Sequence, residues 1–292
     1  MDNMQKIPVF FTFDANYLLA AKVAIHSMMK HASRQYWYEL YVFHTTLSPK
    51  AQQSLRNSLK EFTHTELHFI DVTQYNEKIK NFGTKAHYSK EIFYKLIATD
   101  VLPQYDRIIC SDVDVVFTGD FSPVFFMFPN EKFYYAGVGP VENSRMPYYR
   151  KDFSTTEMEI LEHEIAAGFL LINLKELRND HKQEEIINFY VNNYPRLRLP
   201  EQDCIILTCW PYIKYLPIDY SLPISFYRLN MNQRDFYQGN TEFAGDKATA
   251  LAKFNKGLAH PVQIHYAGFD KPWNCFRLTR RQDWIKAMKS TP

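Results

Sequence analysis

The sequence predicts an α/β fold, with a parallel sheet carrying helices on its faces. Three observations lead there. Short apolar runs bounded by polar residues, the pattern of buried strands, alternate with stretches of helical spacing. Between Ile7 and Ile70 they follow the order strand, helix, strand, helix, strand, which suits parallel strands joined by crossover helices. The chain has 292 residues, 46% hydrophobic and 23% charged, and can bury a large core.

Residues 7–13 read as the first strand, ending at Asp14. Residues 17–31 read as a helix, because Leu18, Ala21, Ile25 and Met28 recur at helical spacing. Residues 38–44 form a second strand. Ser48 and Pro49 then supply a cap and a first-turn proline for a helix running to Glu61. Residues 66–70 form a third strand, and 89–101 a helix with Ile92, Phe93, Leu96 and Ile97 on one side. A strand leading into Asp112 follows, then another over 134–138. Residues 139–163 are polar, with Asn143, Pro147, Tyr148, Tyr149 and Arg150, and read either as a lid over a site or as a plain excursion. Residues 168–174 are a strongly apolar strand, followed by a helix over 175–191. Pro200 opens a helix whose first turn holds Glu201, Gln202 and Asp203, where the helix dipole favours acids. With no repeat, low-complexity tract or Gly/Ser linker, one domain with a C-terminal extension is expected.

Composition narrows the function classes. A net charge of +2 gives no reason to expect a nucleic-acid partner. Nine glycines argue against a glycine-rich phosphate loop. The 23 Phe, 20 Tyr and 4 Trp suit a core and can also stack on bases and sugar faces. Four cysteines, none in a Cys-x-x-Cys pair, read as reduced thiols of a cytoplasmic protein. Neither a signal peptide nor a run of 18 apolar residues is visible, so neither secretion nor a membrane span is expected.

The chemistry concentrates at Asp112-Val113-Asp114, between two apolar runs. In extended chain, side chains i and i+2 share a face, so the two carboxylates converge and Val113 turns away. They suit a divalent cation that also binds substrate phosphates, or an Asp-rich turn with solvated side chains. Asp14 stands at another strand end, where ligands of open parallel sheets bind. The stretch His265-Tyr266-Ala267-Gly268-Phe269-Asp270-Lys271-Pro272-Trp273 adds a nitrogen ligand suited to Mn²⁺, a glycine allowing close backbone approach, and a point charge for phosphate oxygens.

Taken together these motifs resemble glycosyltransferase family 8, which includes bacterial lipopolysaccharide galactosyl- and glucosyltransferases and glycogenin. The likeness rests on residues 11–17, Asp112-Val113-Asp114, residues 168–174, Glu201-Gln202-Asp203 and His265-x-x-Gly268-x-x-Lys271-Pro272-Trp273, in the family's order. It implies a GT-A fold over residues 1–275, a single Rossmann-like domain of mixed, mainly parallel sheet, with 276–292 as a basic-aromatic tail. It also implies a UDP-sugar donor, a saccharide or glycolipid acceptor, Mn²⁺ (or Mg²⁺) as cofactor, and hexose transfer with retention in lipopolysaccharide or other cell-surface glycan synthesis. By that resemblance Asp112, Asp114 and His265 ligate the metal. Thr12, Asp14, Asn16 and Tyr17 hold uridine, Val113 touches the nucleoside, Gly268 and Lys271 meet the diphosphate, and Lys95 lies near the donor. Gln202 is expected beneath the anomeric carbon, with Glu201 and Asp203 orienting the sugar.

The sugar end departs from the family pattern. Ala166 stands where the family usually has Asn, and Glu201 where Asp is common. Two other classes therefore stay open: a nucleotide-sugar-binding protein that has lost catalysis, and a metal-dependent nucleotidyltransferase. The tail, with Trp284, Ile285 and Met288 on one side and mostly basic residues elsewhere, reads as an amphipathic helix lying on an anionic membrane surface at the inner face, or packed on its own domain.

Overall fold

The computed structural model describes residues 4–80, 82, 89–142 and 151–292. Its strands are β1 (Lys6–Thr12), β2 (Trp37–His44), β3 (Thr65–Asp71), β4 (Ile108–Ser111) and β5 (Val115–Phe117) in the first half. The second half adds β6 (Tyr135–Val138), β7 (Phe169–Ile172), β8 (Ile213–Leu216), β9 (Leu222–Pro223) and β10 (Gln263–His265). Among the described residues, seven strands make one sheet in the order β3-β2-β1-β4-β7-β6-β8, and β5-β10-β9 make a second.

The first three predicted strands pair in parallel as expected, and β4 joins β1 in parallel, with Val9 opposite Ile109. The sheet is mixed and mainly parallel, as the resemblance implies, and the antiparallel member is β7, which runs against both β4 and β6. An apolar run buried on both faces carries no direction of its own, so its sequence does not reveal this.

Alternation along β1 sorts the core. Ile7, Val9 and Phe11 pack with the helix Leu18–His31 through Ala21, Ile25 and Met28. Phe10 faces the other side, with Phe43, Phe93, Leu170 and Ile206. Each fully buried side chain of this kind contributes roughly 1.5–3 kcal/mol.

Several helices differ from expectation. Residues 89–101 are mainly a 3-10 helix, Lys90–Ile97, followed by one short α-turn, Ala98–Val101. In 3-10 geometry side chains three apart eclipse, so Ile92 and Lys95 share one side of the element. The helix expected over 175–191 is two, Leu174–Asn179 and Lys182–Asn193, split at left-handed His181 (φ 51°). The polar stretch contains a helix, Thr155–Leu161, closed by a capping box between Ser154 and Glu157. The lid reading falls largely on residues 143–150, which lie outside the described residues.

The terminal helix Arg281–Ser290 packs on its own domain. Trp284 is 1% exposed among Val23, Val116, Ile264 and Tyr266, with Ile285 and Met288 packed alongside. The apolar side on which membrane contact would depend is therefore turned inward. Among the described residues no helix is long and apolar enough to cross a membrane. All four cysteines are free.

One buried acid makes stability depend on pH. Burial pushes the carboxyl of Glu242 up to about 7, although the Ile218 N–H donates to it at 2.9 Å. The folded protein therefore holds this proton where the unfolded chain, with its ordinary value of 4.5, has released it. Stability from this group falls as pH rises from 4.5 toward 7. Glu242→Gln should flatten that slope and raise stability at about pH 8 by roughly 1–2 kcal/mol. Denaturant unfolding at about pH 5 and about pH 8 measures it, and equal slopes in both proteins would refute it.

Candidate active site

The site forms where strand ends meet. β1 ends at Thr12, β4 ends just before Asp112, and β7 begins just after Gly168, whose carbonyl accepts from the Asp112 N–H at 2.9 Å. β10 pairs antiparallel with β5, His265 opposite Val115, and the Tyr266 N–H donates to the Asp114 carbonyl at 2.9 Å. That pairing carries His265 to the aspartates from 151 residues further along the chain (265 − 114). His265 Nε2 lies 3.3 Å from Asp114 Oδ1 and 3.6 Å from Asp112 Oδ2.

Asp112, Asp114 and His265 each offer one ligand atom, all within 4.8 Å of one another. Ligands at about 2.1 Å from one small divalent ion stand at most about 4.2 Å apart, so small side-chain rotations suffice. Two carboxylates and an imidazole are also a fitting donor set for such an ion. His265 is oriented by packing, since its Nδ1 is buried without a hydrogen-bond partner.

Two lysines balance the carboxylates. Lys271 Nζ donates to Asp114 Oδ2 at 2.6 Å and to the Tyr266 carbonyl at 2.9 Å. Burial alone would raise the Asp114 carboxyl, but His265 and Lys271 outweigh it and hold it well below the usual carboxylate range. Lys95 is 1% exposed, 2.6 Å from Asp112 Oδ1 and 3.2 Å from Glu201 Oε1, and it donates to the Ala167 carbonyl at 3.0 Å. Burial lowers its pKa, yet Asp112 and Glu201 prevail and hold the ammonium above the ordinary lysine range.

These groups edge a cavity of about 500 Å³. Thr12, Asp14, Tyr17 and Val113 line it with the metal-site residues, Gly268 and Lys271, and so do Ala166, Glu201 and Gln202. The family model described as "Glycosyl transferase family 8" matches residues 8–276 of this chain. The chain belongs to glycosyl transferase family 8.

Relatives of this family-8 chain span nearly all of it. A lipopolysaccharide 1,2-glucosyltransferase of Escherichia coli (strain K12) is 22% identical, covering 97% of this chain and 78% of its own length. Among solved structures, the galactosyltransferase LgtC, in complex with donor and acceptor sugar analogs, aligns with a TM-score of 0.72 at 17% identity, covering 98% of this chain and 96% of its own. The bifunctional glycosyltransferase WbbM aligns at 0.75 and 22% identity, covering 99% of this chain, which spans only half of WbbM. The fold is GT-A, a mixed and mostly parallel seven-stranded sheet.

Not every expected residue reaches the family-8 cavity. Asn16 is exposed, its side-chain amide bonded to Asp14 Oδ2 at 3.1 Å, while Asp14 also caps the Asn16 and Tyr17 N–H groups. Asp203 is fully buried, and its Oδ2 accepts from the backbone N–H of Arg198 and Leu199 at 2.6 and 2.9 Å. It therefore holds the entry to the helix Pro200–Cys209, which presents Glu201 and Gln202. Lys95 stands behind the lining and acts on it through Asp112 and Glu201. Residues 210–260, unassigned from sequence, contribute Pro223, Ser225, Phe226 and Leu229, and Glu142 and Glu164 also line the cavity. Glu142 is the nearest acid after the strand over 134–138, where the resemblance implies one; no local pattern singles out the others.

Gly168 leaves room for the His265 ring at the candidate metal site. A Cβ there would stand 2.5 Å from both Cε1 and Nδ1 of His265. Gly168→Ala should push the ring off its position and weaken Mn²⁺ binding by roughly 10–100-fold, with little loss of fold. Calorimetric Mn²⁺ titration measures this, and unchanged affinity would show that the ring is free to shift.

Proposed function

We propose that this family-8 protein is a divalent-metal-dependent hexosyltransferase. In this reading it moves glucose or galactose from a UDP-sugar, with retention, to a saccharide or glycolipid acceptor in lipopolysaccharide or other cell-surface glycan synthesis. The observation that carries it is the convergence of Asp112, Asp114 and His265 on the edge of one cavity that Thr12, Asp14 and Tyr17 line together with Glu201 and Gln202. The names of the aligned glucosyl- and galactosyltransferases support the hexose. Four free cysteines suit a reducing, cytoplasmic setting.

Thr12, Asp14 and Tyr17 hold the uridine end, with Asn16 steadying Asp14 and Val113 against the nucleoside. Tyr17 meets Trp273 edge to face at 5.7 Å between centroids, which fixes the ring. Gly268, at φ +101°, exposes backbone that a side chain would strain, next to the diphosphate. Lys271 lines the cavity and can turn its ammonium from Asp114 to a phosphate oxygen. Asp112, Asp114 and His265 would hold a divalent cation, Mn²⁺ by preference for the imidazole, and it would supply positive charge against the departing diphosphate. Glu201 and Gln202 orient the sugar, and Asp203 acts by holding the helix start beneath them. Glu201 Oε2 is buried without a hydrogen-bond partner and can take a sugar hydroxyl.

A screen of UDP-sugars with Mn²⁺, read as UDP release, tests this. Slow hydrolysis of UDP-glucose or UDP-galactose and a UDP-induced thermal shift are expected. Absence of both would sink the reading. UDP binding without turnover over a broad acceptor set would instead mark a nucleotide-sugar-binding protein that has lost catalysis.

A further inference from the structure

We propose that Gln263 and Ser111 are positioning residues for the candidate metal site, joined in one relay that fixes the Asp112 backbone and so aims its carboxylate beside His265. The inference rests on the metal-dependent reading above and concerns how that site is held.

Residues 112–114 form a bend between β4 and β5, and their backbone relies on individual bonds. The Asp112 N–H donates to the Gly168 carbonyl, and the Tyr266 N–H to the Asp114 carbonyl, both at 2.9 Å. The Asp112 carbonyl is held by a side chain instead, because Ser111 Oγ donates to it at 2.8 Å. Gln263 Nε2 in turn donates to Ser111 Oγ at 3.0 Å, from 152 positions along the chain. A hydroxyl has one proton, and this one goes to Asp112, so at Ser111 the amide is the donor.

The relay stands where the two sheets meet. Ser111 ends β4 in the seven-stranded sheet and immediately precedes Asp112. Gln263 opens β10 in the three-stranded sheet and shares its face of the strand with His265, two residues on. The same junction brings His265 Nε2 to 3.6 Å from Asp112 Oδ2. Ser111 and Gln263 are both 0% exposed. Burying an amide and a hydroxyl carries a desolvation cost that apolar side chains of the same shape would avoid. Among the described residues Gln263 Oε1 has no hydrogen-bond partner, so that oxygen adds nothing to the stability of the fold. The amide's use is its hold on Ser111.

Calorimetric Mn²⁺ titration in saturating UDP, together with denaturant unfolding in metal-free buffer, tests this on wild type, Gln263→Met, Ser111→Ala and the double variant. Gln263→Met keeps the length of the side chain and leaves Ser111 bonded to Asp112. Ser111→Ala breaks the relay at its other member, so a folding defect in one variant does not end the test. Each single substitution should weaken Mn²⁺ binding by about tenfold, while the unfolding midpoint of Gln263→Met stays at or above that of wild type. The double variant should bind no more weakly than the weaker single, because the two side chains act as one unit. Mn²⁺ affinity within about twofold of wild type in both single variants would overturn the proposal. So would losses that add in the double variant, or a Gln263→Met midpoint that falls along with its affinity, the mark of a merely structural role. A wild type that binds no Mn²⁺ would overturn the metal-dependent reading, and this proposal with it.

Discussion

Asp114→Asn is expected to lower kcat/KM for the UDP-sugar donor by roughly 10³-fold and to abolish the response to Mn²⁺. The substitution keeps shape and removes charge, and charge is what the geometry uses. Asp114 is the anion shared by His265, at 3.3 Å, and Lys271, at 2.6 Å. His265 and Lys271 outweigh the burial that would raise its carboxyl and hold it well below the usual carboxylate range. Without it one carboxylate, Asp112, and the His265 imidazole are left at the candidate cation site, and Lys271 becomes a buried ammonium left with the Tyr266 carbonyl. Initial rates of UDP release and Mn²⁺ titrations check this. A variant within about tenfold of wild type, with unchanged Mn²⁺ affinity, would remove Asp114 from the metal site.

The second large effect is on folding. Lys95→Met should destabilise the protein by about 3–5 kcal/mol, because it leaves Asp112 and Glu201 converging without their buried counter-charge. Methionine fills the space of the lysine stem, so lost packing contributes little. Adding Glu201→Gln to Lys95→Met should recover part of the loss, since only one unpaired carboxylate then remains. Denaturant unfolding in metal-free buffer measures both variants. A Lys95→Met protein within about 1 kcal/mol of wild type would mean that solvent already screens this pair of acids.

The two effects differ in how far they could be read from the chain. The Asp112 and Asp114 pair is legible as a local motif, although the structure corrects the reason: residues 112–114 form a bend between β4 and β5 and not a strand, and Val113 lines the cavity with both acids. Lys95 is legible only as a basic residue near the donor, since its partners Ala167 and Glu201 lie 72 and 106 positions away. Asp203 illustrates the limit from the other side. Next to Glu201 and Gln202 in sequence, it looks like a third sugar contact. The helix turns it away, and its carboxylate goes to the backbone of Arg198 and Leu199. The break at His181 had a local sign in Asn179-Asp180-His181, residue types that tolerate left-handed backbone.

By itself the sequence determined the order of strands and helices in the first half, the family, and the three residues of the candidate metal site. Those depend on patterns within a few residues, or on short motifs whose order along the chain carries the family resemblance. Only the tertiary structure decided the direction of β7, the inward packing of the terminal helix, and which polar groups line the cavity. Each depends on partners far apart in the chain. Burial and pairing there set whether an acid such as Glu142, Glu164 or Glu201 is neutralised, oriented or left an oxygen to offer.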